Sequence, residues 1–313
     1  MKTEREDISA IELGILWDKL ISITDEVFNT LVRTAFSPVL REGRDGCAVI
    51  MDRQGKSVAQ STLSLPVFIG TVPVTTKHLL KKFPTSSMKP GDVFITNDPW
   101  MGSGHLNDAT IIRPIFCDSE LVAFVGTVSH LPDIGGIGYS ATAREVFEEG
   151  LNIPITRLVN EGQLNQELLD IIGRNVRLEH QVIGDIKAAI SAGHMCERRI
   201  AQFIRGSGVS KLGSLFALIL ERSEAAVRAK IMEMPQGEYE DEVWIEANQS
   251  PVHIKCRVSV NDQQVKVDYS GTSGCVAEAI NVPMCFAHSW DIFHLLLIYP
   301  NIGNCIVANL IFL

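Results

Sequence analysis

Two apolar runs, Ala109 to Phe116 and Leu121 to Val128, flank the short polar stretch Cys117 to Glu120, and nothing else in this 313-residue chain constrains its fold as tightly. β-Branched and aromatic side chains fill both runs, and so short a polar break fits an antiparallel hairpin. Pairing about that turn sets residue 109 opposite roughly residue 128, within about two residues of register, so the open end carries Asp108 beside Ser129 and His130. His105-Leu106-Asn107-Asp108 stands just before the first run, and His130-Leu131-Pro132-Asp133 just after the second. The hairpin therefore draws two copies of a His-x-x-Asp pattern to one end of a sheet.

Neutral imidazole mixed with carboxylate suits a divalent cation of borderline hardness, such as zinc, manganese or ferrous iron. His105, Asp108 and His130 are the candidate ligands. The plainer alternative is local: aspartates at strand ends bond backbone amides, and histidines in turns are often merely solvated or hydrogen-bonded. Asn97-Asp98-Pro99, Gly102-Ser103-Gly104 and Ile134-Gly135-Gly136-Ile137-Gly138 surround both patterns with permissive backbone. A substrate-admitting loop needs this, and so do ordinary turns.

Along the rest of the chain, Leu16, Leu20, Ile23, Val27 and Leu31 repeat at helical spacing behind Ser9, an N-cap with Glu12 three residues on, and Pro38 bounds that helix. Residues 46 to 51 and 56 to 60 read as strands about the turn Asp52 to Gly55, with Asp45 at the entrance. A short helix around Val74 to Phe83 and a strand at Val93 to Thr96 follow. Helices are expected at Thr142 to Glu149, Asn165 to Arg174, Leu178 to Ile204 and Lys211 to Met234, the last two separated by Gly206-Ser207-Gly208. Short strands then succeed one another: Tyr239 to Glu246, Val252 to Val260 and Gln264 to Tyr269. The expected class is mixed α+β, with hairpins and long helices in a site-bearing region 1–235 and the start of a β-rich module over 236–313.

Composition excludes several functions. The formal net charge of -9 and the lack of a clustered basic surface argue against nucleic acid, since even Lys77, Lys81 and Lys82 read as one solvated helix face. Seven scattered cysteines form no Cys-x-x-Cys pair, which fits a reducing cytosol rather than a disulfide framework. The charged Met1 to Asp7 segment lacks a signal-peptide core, and Pro300, Asn301 and Gly303 interrupt the apolar C-terminal stretch, so neither export nor a membrane anchor is expected. Gly55-Lys56-Ser57 ends like a phosphate loop, but Ile50 stands where its first glycine belongs. No Gly-x-Ser-x-Gly elbow is present. The remaining histidines sit in helix or strand patterns, where structural roles are usual.

Ser37-Pro38, Glu42, Arg44-Asp45, Asp52-Arg53-Gln54-Gly55, Leu65-Pro66-Val67, Asn97-Asp98-Pro99, Gly104 to Asp108, His130, Asp133 to Gly136, Glu148 to Leu151, Asn175-Val176-Arg177 and Gly184-Asp185 occur in order. This series, from about residue 8 to about residue 302, resembles the hydantoinase B/oxoprolinase family, which includes B subunits of ATP-dependent N-methylhydantoinase, 5-oxoprolinase and related carboxylases.

The resemblance implies a division of labour. An actin-like A subunit uses ATP to phosphorylate a small-molecule substrate, and the B part completes the reaction at a metal centre. It also implies that Asp45, His105 and His130 bind the metal with Asp108 as a further ligand or close partner, and that Asp133 orients an imidazole or handles a proton. The implied protein is a cytoplasmic hetero-oligomeric hydrolase of hydantoin- or 5-oxoproline-like lactams. A ketone carboxylase subunit or a non-catalytic assembly partner are the alternatives. Phe68, Gly46 and Leu131 depart from the family pattern, at positions where many relatives carry histidine, an aromatic residue and a second histidine. Family members also continue past the segment matching Pro300 to Gly303, which leads to the expectation of a truncated product with exposed apolar surface.

Overall fold

The computed structural model describes residues 8–102, 104–207, 212–247 and 250–298. Expectations placed on Ser103, Gly208, Lys211 and residues 299–313 lie outside them. Ser9 begins the first helix as its chemistry requires, its hydroxyl accepting the Glu12 N–H. The helix α1 (Ala10–Thr34) buries Leu16, Leu20, Ile23, Val27 and Leu31 along one stripe. Pro38 does stop it, and also opens a single-turn helix, α2 (Pro38–Arg41), capped by the Ser37 hydroxyl. The strands β1 (Gly46–Met51) and β2 (Ser57–Gln60) follow, joined by a turn in which the Asp52 carboxylate accepts the Gln54 and Lys56 N–H groups.

After α3 (Thr71–Lys82), which starts before the expected Val74, and β3 (Val93–Thr96) comes the hairpin of β4 (Asp108–Cys117) and β5 (Glu120–His130). Asp118 and Ser119 both adopt positive φ, 49° and 68°, which matches the right-handed twist of the flanking strands. Phe116 pairs with Leu121 but Ile115 pairs with Ala123, so Val122 is left over as a bulge. Beyond it Ala109 faces Ser129 and Asp108 faces His130, one residue on from the sequence expectation. Both strands are buried along nearly their whole length. A sheet covered on both faces shows continuous apolar runs rather than alternation.

The expected helix over Thr142 to Glu149 is only one turn, α4 (Val146–Glu149). The backbone there serves another purpose: the Ile137 N–H donates to Glu148 O and the Leu151 N–H to Ile134 O, which ties the segment to the glycine-rich loop. Strands β6 (Thr156–Asn160) and β7 (Gln163–Leu164), which the sequence patterns do not announce, extend the sheet. Its order is β2-β1-β5-β4-β3-β6-β7, antiparallel throughout. Helices α5 (Gln166–Asn175), α6 (Glu179–Ser207) and α7 (Leu212–Glu233) come next, and α1 and α6 cover one face of the sheet while α3 covers the other.

A second sheet, β8 (Gly237–Ile245), β9 (Val252–Asn261) and β10 (Gln264–Asp268), packs Val260, Val265 and Val267 against Val227, Ile231 and Met234. Finally α8 (Met284–Ile298) returns to the first sheet: the Ser289 hydroxyl bonds Val67 O and accepts the Gly70 N–H, and Phe286 closes against Gly104. No single helix among the described residues is long and apolar enough to cross a membrane.

Candidate metal centre

Register builds the site. Gly46 pairs with Ser129, so the next position sets Asp45 across from His130, and the His130 N–H donates to the Asp45 carbonyl at 3.1 Å. On its other side His130 faces Asp108. Residues directly opposite in antiparallel strands share a face, so three neighbouring strands deliver Asp45, His130 and Asp108 in a row. His105 reaches the row from the turn before β4, where the Asp108 N–H donates to its carbonyl. Gly46 permits the close approach, because a Cβ there would lie 2.5 Å from Val128 O. Asn107 and Leu131 bond each other through Leu131 N–H to Asn107 O and Asn107 Nδ2 to Leu131 O, which holds the open end of the hairpin together. Two of the departures from the family pattern, Phe68 and Leu131, are buried core residues here.

The imidazole Nδ1 of His130 lies 3.1 Å from Asp108 Oδ1, and His105 Nε2 lies 3.1 Å from Asp108 Oδ2. Asp45 Oδ2 is 3.8 Å from His130 Nδ1. Side-chain exposure rises from 1% at Asp108 through 16% at His130 to 30% and 34% at His105 and Asp45, so Asp108 is the most deeply buried of the four. One ligand atom each from His105, Asp108 and His130 fits within 4.8 Å of the others. Burial raises the Asp45 carboxyl above the ordinary carboxylate range, the His130 charge opposes this, and the Asp108 charge adds to it. Burial disfavours a proton on His130, yet the hydrogen bond it donates to Asp108 and the charges of Asp108 and Asp45 outweigh it and hold the imidazole's pKa above its usual value.

Two imidazoles and the Asp108 carboxylate converge without thiolate, with Asp45 3.8 Å from His130, and form a donor set that could hold zinc, manganese or ferrous iron. His105 Nδ1 is a buried ring nitrogen with no hydrogen-bond partner among the described residues. A buried polar atom left in this way is costly unless something else engages the ring. The residues present therefore fit a divalent cation.

Asp133 stands apart from this cluster. Its carboxylate accepts the backbone N–H groups of Gly135, Arg177 and Leu178 and an Arg177 guanidinium N–H, and among the described residues no hydrogen bond joins it to His105 or His130. Burial pushes its pKa up, but the three amides and the Arg177 charge together hold it below the usual carboxylate value. A carboxylate so engaged makes a poor base and a good anchor for the loop after His130. At Gly136, φ 57°, a Cβ would meet Glu148 O at 2.3 Å, so this loop admits no side chain.

Two residues near the cluster were not legible as site residues. Glu149, half-buried, lies close enough to His105 to feel its charge, and burial raises its carboxyl pKa. Tyr139 sets its ring steeply inclined to both imidazoles, at 77° to His105 and 74° to His130, with centroids 6.1 Å and 5.8 Å away. The glycine-rich run before Tyr139 and the Glu148-Glu149-Gly150 motif were the available signals, but neither locates a side chain in space.

Comparison with known proteins agrees with the earlier resemblance. Residues 9–304 match the family model described as hydantoinase B/oxoprolinase. An uncharacterized protein of Methanocaldococcus jannaschii is 31% identical over 80% of this chain and 45% of its own length. The caprolactamase subunit beta of Pseudomonas jessenii is 27% identical over 74% of this chain and 40% of its own. Among solved structures, nucleotide-free acetone carboxylase superposes with a TM-score of 0.87 at 21% identity, over 97% of this chain and 43% of that one, a likeness of fold. The chain spans about half the length, or less, of these curated relatives.

Proposed function

The chain belongs to the hydantoinase B/oxoprolinase family, and from that premise we propose that it is the B-type subunit of an ATP-dependent cyclic-amide hydrolase acting with an A-type, ATP-binding partner. One observation carries the reading: β1, β5 and β4 align Asp45, His130 and Asp108 in a single row, with His105 closing it. These four side chains would hold a divalent cation. Such an ion supplies a Lewis acid that polarises a carbonyl and makes water nucleophilic near neutral pH.

The chain's own residues have separate tasks. Asp108 fixes the orientation of the His130 imidazole through a hydrogen bond to its Oδ1, and its Oδ2 lies 3.1 Å from His105 Nε2. Asp133 and Arg177 fix the loop that follows His130. Glu149, whose proton affinity burial has raised, is the carboxyl suited to accept a proton beside His105. Phosphorylation of the amide oxygen by the partner would make the carbon electrophilic enough for water to add. The ring C–N bond would then break with the nitrogen leaving as a protonated amine, and a second water would release phosphate from the resulting acyl phosphate to give the carboxylate. The names of the family and of the caprolactamase relative support a lactam substrate, since hydantoins, oxoproline and caprolactam all carry an amide within a ring.

Metal analysis of the purified chain and of His105→Ala tests the site, and equal metal content in both would refute it. ATP consumption in the presence of an A-type subunit, with lactams in one arm and ketone plus bicarbonate in the other, tests the reaction. Turnover only in the second arm would replace the hydrolase reading with the carboxylase one.

A further inference from the structure

Tyr139 has no role in the reading above, yet the residue is 81% exposed while its ring centroid stands within 6.1 Å of both imidazole centroids. An aromatic side chain left this open forgoes most of the burial that normally stabilises it. The backbone keeps it there. On one side the Ile137 N–H is tied to Glu148 O, and on the other Ala141 O accepts the Ala279 N–H. Gly135, Gly136 and Gly138, all at positive φ, shape the approach, and a Cβ on Gly138 would meet nothing within 4 Å. Tyr139 itself makes no hydrogen bond among the described residues. Its ring stands beside the His105–His130 pair, inclined at 77° and 74° to the two imidazoles, and most of the residue's surface stays open.

We propose that Tyr139 is the specificity-determining wall of the substrate site: the ring of a cyclic amide packs on its exposed aromatic face while the amide lies over the imidazoles. This rests on the cyclic-amide reading of the site. The contact is made by the ring face, so phenylalanine should replace tyrosine and a small residue should not.

The test uses the full chain labelled with 3-fluorotyrosine, whose four tyrosines give four fluorine signals, with Tyr139→Phe identifying the one at 139. Zinc and then cobalt are added, followed by 5-oxoproline or hydantoin. Cobalt should broaden the Tyr139 signal selectively, and lactam should shift that signal in the zinc-loaded protein. Lactam affinity should stay within about twofold in Tyr139→Phe and fall about tenfold in Tyr139→Ala, as loss of one packed ring face predicts. Metal binding that broadens the signal, with no lactam shift or with unchanged affinity in Tyr139→Ala, overturns the role of Tyr139 and leaves the metal reading standing. Absence of metal binding overturns both.

Discussion

His130 lies directly across the β4–β5 ladder from Asp108, its Nδ1 3.1 Å from Oδ1, while its main chain is bonded on the opposite side to Asp45. One imidazole is thus gripped by carboxylate-bearing strands on both flanks, and the ring's direction is set by sheet register rather than by a mobile loop. Side chains fixed in this way lose little freedom when a ligand arrives.

Asp108 touches both imidazoles, so its replacement should do the greatest damage. Asp108→Asn and His130→Ala should each weaken zinc binding on the order of a hundredfold or more, beyond the usual effect of an outer-layer partner. Calorimetric titration against wild type checks this, with circular dichroism confirming an unchanged fold. Retained affinity in Asp108→Asn would remove it from the ligand set.

A proton competes with the metal at His130. Burial alone would lower its pKa, but Asp108 and Asp45 raise it above the ordinary 6.5. In the metal-free protein the stabilisation from these partners is therefore full below pH 6.5 and is lost as pH rises through the elevated folded value. Metal binding should release a proton and weaken as pH falls through the same range. Titration in buffers of different ionisation enthalpy measures the released proton directly, and no buffer dependence would contradict the assignment.

For Asp133 the sign is opposite. Its folded pKa is depressed below 3.8, so its contribution is present above that value and is lost as pH falls through it toward the folded pKa. Asp133→Asn should destabilise the chain at neutral pH by about 1–3 kcal/mol, the range for disturbing buried hydrogen bonds to a charged group. Thermal melts at pH 7 and at pH 3 test this: the gap between variant and wild type should narrow in acid.

Gly46→Ala changes no candidate ligand. Its Cβ would nevertheless press on Val128 O and force β1 away from β5, carrying Asp45 with it. A lower melting temperature together with weaker zinc binding is expected. Weaker stability with zinc affinity intact would separate Asp45 from the centre.

Much of this was legible in the chain. The hairpin, the convergence of His105, Asp108 and His130, the α1 stripe and the Ser9 cap all arise from contacts close in sequence, where periodicity and turn chemistry carry the information. Asp45 was not legible from the residues and needed the family resemblance. Its place depends on β1 pairing with β5, strands separated by some 80 residues, and no local pattern specifies that partnership. The same holds for Tyr139 and Glu149, whose positions depend on two irregular loops bonding each other. The expected Thr142–Glu149 helix is a single turn, and backbone around it bonds the glycine-rich loop instead. Asp133 shares its spacing with Asp108 but not its surroundings, and its carboxylate is engaged by three amide donors.

The Val122 bulge gives the hairpin one residue more than a straight ladder would use between Ile115 and Ala123. Removing Val122 would restore regular pairing and still leave Asp108 facing His130. Without Val122 the histidines would stand one residue closer in sequence with the same pairing, so their present spacing belongs to the bulged ladder. When this centre is sought in other sequences, the count between the histidines is as informative as the histidines themselves.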